Sequence, residues 1–291
     1  MTIANEATEC FGDLTSLSAA LKKFGDTIEK DCRIDDMRLP WCPMLPYVYP
    51  KYPFLKKKIF YVGQDTLGWD LRLSDMEEEK LFSFFFECYD NLDFSLYLKR
   101  NANALTLDKR INAWPNKPGS FWFGINSLQL KLFLNRDPKR GLRGLTEEEL
   151  EIINGIGYSN LNSIEFESTL RKQGAWDQIA HEQYFKIKKS SEENLDGVKH
   201  ILKCFNPDCI VIASWSGKAE EAYFSDCIWK RCEEEEKTLS FIKVQNYLIE
   251  YNGRRCKVIW TYHPRSWGGW SWRRFAISVN ELASHIKASL I

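Results

Sequence analysis

The sequence has no net charge and no long apolar run. Lysine plus arginine and aspartate plus glutamate each total 40 among 291 residues, so no overall basic field indicates nucleic acid and any such contact must come from local patches. No run approaches the roughly 20 apolar residues that cross a membrane, and the first residues lack the basic and apolar regions of a signal peptide. We expect no membrane partner and a cytoplasmic location.

Metal and disulfide patterns are also missing. The nine cysteines are an odd number and include no Cys-x-x-Cys pair, which argues against a disulfide framework and against a zinc or iron–sulfur site. The 16 glycines and 10 prolines are too few for a disordered chain. We expect one domain over residues 1–291 without metal or cofactor, in which residues 1–54 form an N-terminal helix and a proline-rich strap.

Two apolar runs lead directly into polar residues. Residues 59–62 (IFYV) precede Gly63-Gln64-Asp65, and residues 256–262 (CKVIWTY) precede His263-Pro264-Arg265-Ser266. Short apolar runs that stop at glycine or polar residues are typical of buried strands. In open α/β sheets, ligands bind at the carboxyl ends of such strands. An acid after one strand and a histidine after another therefore predict a hydrolytic pair.

Strand and helix patterns alternate along the rest of the chain. Further strands are predicted at 155–164 and 209–213, and Asn252-Gly253 predicts a turn before the last strand. A capping box formed by Thr146 and Glu149 predicts the start of one helix, and another helix is predicted at 218–236. This alternation predicts an α/β fold, a three-layer α/β/α sandwich around a largely parallel sheet.

The two strand-end motifs resemble those of the uracil-DNA glycosylase superfamily. Its best-known branch carries Gly-Gln-Asp after the first strand and His-Pro-Ser after the last, and here Gly63-Gln64-Asp65 and His263-Pro264-Arg265-Ser266 occupy those places. The resemblance implies a monofunctional DNA glycosylase, which flips a base out of DNA and hydrolyses its N-glycosidic bond to leave an abasic site. It implies DNA as the partner and no cofactor, and we expect a monomer.

The resemblance also implies roles for the strand-end residues. Asp65 would orient or activate the attacking water and offset the charge of the cationic sugar, and His263 would donate a hydrogen bond to the departing base. The backbone near Gln64 would add a further contact. An asparagine would read the edge of the base; Asn162 fits that position best, and Asn160 is the alternative.

An aromatic ring stacks on the flipped base in this family. Phe121, Trp122 and Phe123 are all candidates, and the sequence does not decide among them; Phe123 is the working choice, and ordinary core packing is the alternative. The best-known branch follows Gly-Gln-Asp with proline, tyrosine and histidine, where this chain has Thr66-Leu67-Gly68. With Leu67 the wall beside the base is smaller, which leads to the hypothesis that the substrate is a 5-substituted pyrimidine, such as a hypermodified cytosine of some phage DNA, rather than plain uracil.

Contacts with DNA are expected on either side of the histidine motif. Trp267 stands roughly where the family inserts an apolar wedge into the gap left by the base, and Arg265, Arg273 and the basic loop around Arg140 suit phosphates. Arg265 replaces the serine of the motif, which leaves the register of the wedge open. The alternative for the tryptophans is that they hold the final helix against the sheet.

Two other functions remain open at this point. The chain could be a binding module of the same fold, without catalysis, for modified DNA or for another protein. It could also be a hydrolase of free nucleosides, which the absence of net charge favours.

Overall fold

A seven-stranded sheet organises the part of the chain that the structure describes. This computed structural model describes residues 23, 37–40, 46–49, 51–63, 121–139, 145–161, 166–168, 197–214, 228–268 and 271–290. In these residues the strands are β1 (Met37–Pro40), β2 (Tyr47–Val48), β3 (Ile59–Gly63), β4 (Gly157–Asn160), β5 (Phe166–Ser168), β6 (Cys209–Ser214), β7 (Ile228–Thr238), β8 (Lys243–Tyr251) and β9 (Arg254–Tyr262). The helices are α1 (Phe121–Leu134), α2 (Glu147–Ile153), α3 (Gly197–Phe205) and α4 (Trp272–Ser289), with 3-10 helices at Tyr52–Phe54 and Pro264–Ser266.

The strand order of the sheet is β2-β4-β3-β6-β9-β8-β7. The four central strands β4, β3, β6 and β9 run parallel. β2 pairs antiparallel with β4 on one side; on the other side β8 pairs antiparallel with β9, and β7 pairs antiparallel with β8. β1 pairs with β5 outside this sheet. The α/β class is confirmed, and the predicted parallel pairing holds for the centre of the sheet.

The apolar runs of the sequence form the buried centre of this sheet. All residues of β3 and β6 are buried, as expected for parallel strands covered on both faces. Alternate residues point to opposite faces, so that Ile59 and Tyr61 pack into one apolar cluster and Phe60 and Val62 into another.

Helices cover both faces of the sheet. α1, α2 and α4 contribute to the cluster on the Ile59 face, and α3 contributes Val198, Ile201 and Leu202 to the opposite cluster. Residues on all sides of α1 are buried, which is typical of a helix in the centre of a domain. Its contacts include α2, α4 and the 3-10 helix that follows β9.

The prediction of a helix at 218–236 is wrong for residues 228–236, the part of that range that the structure describes. Ile228–Thr238 is strand β7, which pairs with β8 around an irregularity between Arg231 and Glu236. Glutamate and lysine favour helix in isolation, but tertiary pairing overrides that preference. The Lys243 ammonium lies 2.7 Å from the Glu236 carboxylate, and charged residues suit a strand at the end of a sheet.

Local signals in the sequence were more reliable. Thr146 and Glu149 form the predicted capping box, with hydrogen bonds of 3.2 and 2.8 Å. Asn252 and Gly253 have positive φ angles of 49° and 75° in the turn between β8 and β9, as a tight hairpin turn requires.

The proline-rich strap is extended at Met37–Pro40 and at Tyr47–Val48, where β2 pairs with β4, but Tyr52–Phe54 is a 3-10 helix. The predicted N-terminal helix lies outside the described residues apart from Lys23, and the single domain stays a prediction. Among the described helices none is long and apolar enough to span a bilayer.

Candidate functional site

The carboxyl ends of the four parallel strands bring the two sequence motifs to one edge of the sheet. We call this the carboxyl edge; there β4, β3, β6 and β9 end at Asn160, Gly63, Ser214 and Tyr262. Gly63 pairs with Asn160, and Ser214 with Tyr262, which His263 follows. Two predicted catalytic segments thus leave the same edge with one strand between them, where α/β sheets bind ligands.

Several predicted site residues lie outside the described part of the chain. They are the two residues after Gly63 that complete the first motif, together with the wall residue, the preferred base-reading asparagine and the basic-loop arginine: Gln64, Asp65, Leu67, Asn162 and Arg140. Their roles stay predictions. Gly63 and Leu161, the last described residues before Gln64 and Asn162, lie at the carboxyl edge.

His263 is held in one orientation by the backbone around it. Its N–H donates to the Ser214 carbonyl oxygen at 2.8 Å, which extends the β6–β9 pairing by one residue. Its ring Nδ1 accepts from the Arg265 N–H at 3.1 Å and so caps the 3-10 helix Pro264–Ser266. The residue is 8% exposed, so the imidazole is both oriented and largely withdrawn from water.

The surroundings of His263 keep its ring neutral. Burial and, to a smaller extent, the positive charge of Arg265 lower the pKa of His263 to about 4. Because Nδ1 accepts a hydrogen bond, the single proton of the neutral ring must be on Nε2. His263 is therefore a neutral hydrogen-bond donor at pH 7, and it would act without carrying a positive charge.

Pro264 and Gly124 fix the distance between this segment and α1. A Cβ on Gly124 would lie 2.3 Å from Pro264 Cβ, closer than two carbons can approach, so the absence of a side chain lets the 3-10 helix rest on α1. This packing brings the rings of Phe121 and His263 to a centroid separation of 5.8 Å. The start of α1 thereby joins the carboxyl edge.

Phe121 is the aromatic residue at the centre of this edge. It is half-buried, and its ring lies 5.3 Å from Tyr158 and 5.5 Å from Trp122 by centroid. A Cβ on Gly63 would be 3.4 Å from the Phe121 ring. The ring therefore lies over the end of β3, between Tyr158 and His263.

The side-chain amide of Asn160 also lies at the end of β3, beside Gly63. It is 3% exposed, and the Tyr158 hydroxyl donates to its Oδ1 at 2.6 Å. A Cβ on Gly63 would lie 2.6 Å from that oxygen, so the glycine of the Gly-Gln-Asp motif makes room for the amide. Asn160, the alternative to Asn162, thus ends β4 directly beside the end of β3.

Phe123 does not have the exposed ring that stacking on a flipped base requires. It is fully buried and packs on Phe275 of α4 at 5.3 Å and on Trp272 at 6.1 Å. A ring enclosed on all sides cannot stack on an incoming base. The prediction for Phe123 is wrong, and Phe121 is the half-buried member of the three candidates.

The wedge prediction for Trp267 is wrong for the same reason. Trp267 is 0% exposed, its Nε1–H donates to the Tyr262 carbonyl oxygen at 2.6 Å, and its backbone carbonyl accepts from the Ser278 hydroxyl of α4. Its ring packs on Phe275. Trp267 therefore holds α4 against the sheet, which was the structural alternative.

The arginines of this region remain at the surface. Arg265 and Arg273 are exposed on either side of Trp267, so their predicted contact with phosphates is sterically open. In the described ranges no group of three or more His, Cys, Asp and Glu side chains is placed to hold a metal ion. A shallow groove of about 520 Å³ lies between the β7–β8 turn and α4, and its lining includes Lys237, Ser240 and Glu281.

Sequence reasoning missed Tyr158. The alternation of a strand places Tyr158 and Asn160 on one face of β4, and this signal was present in the sequence. The close approach of α1 to that face was not visible, because it depends on packing between distant segments.

Comparison with protein families, with curated proteins and with solved structures finds no significant match to this chain. The geometry of the carboxyl edge must carry any functional conclusion.

Proposed function

We propose that this protein is a DNA glycosylase of the uracil-DNA glycosylase type, which extrudes a pyrimidine from DNA and hydrolyses its N-glycosidic bond. The proposal includes the three-layer α/β/α architecture, which the helices on both faces of the sheet support. Its main support is the convergence of Gly63, Asn160 and a neutral His263 at one sheet edge, beside the half-buried ring of Phe121.

The neutral state of His263 suits the chemistry of base release. Breaking the bond between sugar C1′ and the base nitrogen leaves an oxocarbenium-like sugar and an anionic base. In the proposal, the Nε2–H of His263 donates to an oxygen of the departing base, in surroundings where low water content strengthens the hydrogen bond. Asp65 follows β3 by two residues; it takes a proton from the water that attacks C1′, and its carboxylate stabilises the cationic sugar.

Base recognition would combine stacking with an oriented amide. Phe121 replaces Phe123 as the residue proposed to stack on the extruded base. Either Asn162 or Asn160 would read the edge of the base; the hydrogen bond from Tyr158 fixes the orientation of Asn160. An amide in a fixed orientation discriminates between a base edge that donates and one that accepts.

The proposed substrate is a pyrimidine with a substituent at ring position 5. Leu67 stands in place of the tyrosine that excludes such bases in the best-known branch of the family. Release of uracil with no release of any 5-substituted base would contradict this part of the proposal.

A base-release assay tests the proposal. The purified chain is incubated with duplex and single-stranded oligonucleotides that contain uracil, thymine, 5-hydroxymethylcytosine or its glucosylated form, and alkali then cleaves at abasic sites. We expect cleavage with one of these bases, and a rate lower by about 100-fold or more in Asp65→Asn and His263→Asn, the usual range for loss of a general acid or base.

Matched variants separate catalysis from stability. His285→Gln changes a half-buried histidine that hydrogen-bonds Asn246 in another part of the fold, and Asp137→Asn changes an exposed carboxylate paired with Lys131; both should release base at the unaltered rate. Full activity of His263→Asn would refute its role. DNA binding without release of any base would favour the binding module, and release from free nucleosides alone would favour the nucleoside hydrolase.

A further inference from the structure

The turn between β7 and β8, residues 239–242, projects from the same edge as His263. Thr238 pairs with Lys243 across the turn, and Val244 pairs with Thr261 of β9. Lys243 therefore stands opposite the end of β9, and neighbouring strands are roughly 4.8 Å apart. The turn lies next to the segment that carries His263, on the side away from β6.

Hydrogen bonds anchor the turn, and one large apolar side chain of the turn faces solvent. The Leu239 N–H donates to the Ile242 carbonyl oxygen at 2.8 Å. The Glu281 carboxylate of α4 accepts from the Ser240 N–H at 2.8 Å and from the Ser240 hydroxyl. Leu239 and Ile242 are buried, whereas Phe241 is 42% exposed. The anchoring of its neighbours leaves Phe241 presented to solvent.

A guanidinium group accompanies this exposed ring. The Arg274 guanidinium carbon lies 5.3 Å from the centroid of Phe241. Arg273 and Arg274 are exposed in the first turn of α4, and Arg265 is exposed two residues after His263. Near the turn, the Glu281 carboxylate accepts from Ser240, and the Glu236 carboxylate pairs with Lys243. The Arg274 guanidinium therefore places a positive charge beside the exposed Phe241 ring at the carboxyl edge.

The geometry points to Phe241 and Arg274 as a contact site for unstacked DNA, in which the Phe241 ring stacks on a base beside the extruded one and Arg274 binds a backbone phosphate. Aromatic rings and arginines in this combination are what sequence-independent binding of single strands requires. The inference deepens the proposed function, on which it rests, because an enzyme that opens a duplex must hold the bases it exposes. Phe241 would then contact the bases exposed by the opened duplex, which the buried Trp267, the residue first proposed as the wedge, cannot do.

Fluorescence anisotropy with labelled oligonucleotides tests this site. The probes are a single-stranded oligothymidine, a duplex with a central one-nucleotide gap and an intact duplex. Because stacking of one base on an aromatic residue contributes roughly 5- to 150-fold in affinity, we expect Phe241→Ala to weaken binding of the first two probes by about that factor. Phe241→Trp should retain the affinity. Arg274→Gln should weaken all three probes and reduce the salt dependence by about one counterion.

The control is the other large apolar residue that is exposed in the described part of the chain. Phe54 is 77% exposed and lies ahead of β3, at the opposite edge of the sheet, so Phe54→Ala should bind all probes as the unaltered protein does. Thermal unfolding of each variant establishes that it is folded. Equal binding by Phe241→Ala and the unaltered protein, equal loss in Phe54→Ala, or no binding by the unaltered protein would overturn the inference.

The outcome for Phe241 is separable from the outcome for the glycosylase. Selective loss of binding in Phe241→Ala without base release by any protein would support the contact site and refute the enzyme. Base release with unaltered binding in Phe241→Ala would support the enzyme and refute the contact site.

Discussion

The two edges of the central sheet use polar side chains in different ways. At the amino edge, where the parallel strands begin, the Asp208 carboxylate accepts from the Lys58 N–H at 2.7 Å, and the Lys58 carbonyl oxygen accepts from the Asp208 N–H at 2.9 Å. These bonds join the residues that precede β3 and β6. At the carboxyl edge, Nδ1 of His263 accepts from the Arg265 N–H two residues away, so the proton of the neutral ring is on Nε2. The first arrangement joins two strands through a side chain, whereas the second fixes the tautomer and orientation of a histidine.

The glycines at the two edges are required for different reasons. Gly253, in the turn at the amino edge, has a φ of 75°, and a Cβ there would meet no atom within 4 Å. Gly63 at the carboxyl edge is needed for space, since a Cβ would collide with Asn160 and Tyr158. One glycine serves the backbone, and the other allows side chains from two strands to converge. The candidate site therefore has converging side chains around its glycine, whereas the β8–β9 turn has none around Gly253.

The largest expected effect concerns the aromatic residues at the two edges. Trp267→Ala removes a fully buried ring that packs on Phe275 and hydrogen-bonds Tyr262. We expect a loss of about 3–5 kcal/mol in the free energy of unfolding, as for large-to-small changes in a core. Phe54→Ala at the amino edge should change it by less than about 0.5 kcal/mol. Unfolding in urea measures both.

A small loss in Trp267→Ala, similar to that of Phe54→Ala, would mean that the tryptophan is available at the surface. The wedge prediction would then stand again.

The second effect is a pH dependence of stability that His263 gives to the carboxyl edge. The pKa of His263 is lowered to about 4 by burial and by Arg265, whereas an unfolded histidine titrates near 6.5. As pH falls below 6.5, the unfolded chain takes up a proton that the folded chain refuses until about pH 4. The contribution of His263 to stability is therefore complete above pH 6.5 and declines toward pH 4, by as much as about 3 kcal/mol.

The measurement compares the unaltered protein with His263→Asn, whose side-chain oxygen can still accept from Arg265. Other titrating groups contribute equally to both proteins, so the difference in unfolding free energy between them isolates His263. That difference should move against the unaltered protein between pH 7 and pH 4. A constant difference over this range would show that the histidine titrates normally and is not withdrawn from water.

The sequence was sufficient for strands and caps whose signal is local. The apolar run before Gly63, the capping box of Thr146 and the Asn252-Gly253 turn were all predicted, because each depends on neighbouring residues. The same runs determine that His263 leaves the sheet at the edge where Gly63 does. This much of the candidate site follows from strand order and parallel pairing.

Features that depend on distant packing were not predictable in this way. In the segment that begins α1, Phe121 and Phe123 are separated by about 200° around the helix, so only one of them can face the carboxyl edge. Phe123 faces α4 because Phe275 lies there, a contact between residues far apart in sequence. Strand β7 was mistaken for a helix because the pairing with β8 outweighs the preference of its glutamates.

The smallest expected effect compares one tyrosine at each edge. Tyr158→Phe removes the hydroxyl that donates to Asn160 at 2.6 Å; we expect a loss of about 0.5–1.5 kcal/mol in the free energy of unfolding. Tyr52 at the amino edge is 2% exposed, and its hydroxyl has no hydrogen-bond partner in the described part of the chain. Tyr52→Phe should therefore leave stability unchanged or raise it by up to about 1 kcal/mol.

Base release adds a second readout for this pair. If Tyr158 orients the amide of Asn160 for recognition, Tyr158→Phe should lower the preference for the favoured base over other pyrimidines more than it lowers the overall rate, because the amide oxygen loses the hydrogen bond that it accepts from Tyr158. Tyr52→Phe should leave the preference as it is. A Tyr158→Phe variant with reduced stability and an unaltered preference would make the hydrogen bond structural, like those of the amino edge, and would leave Asn162 as the residue proposed to read the base.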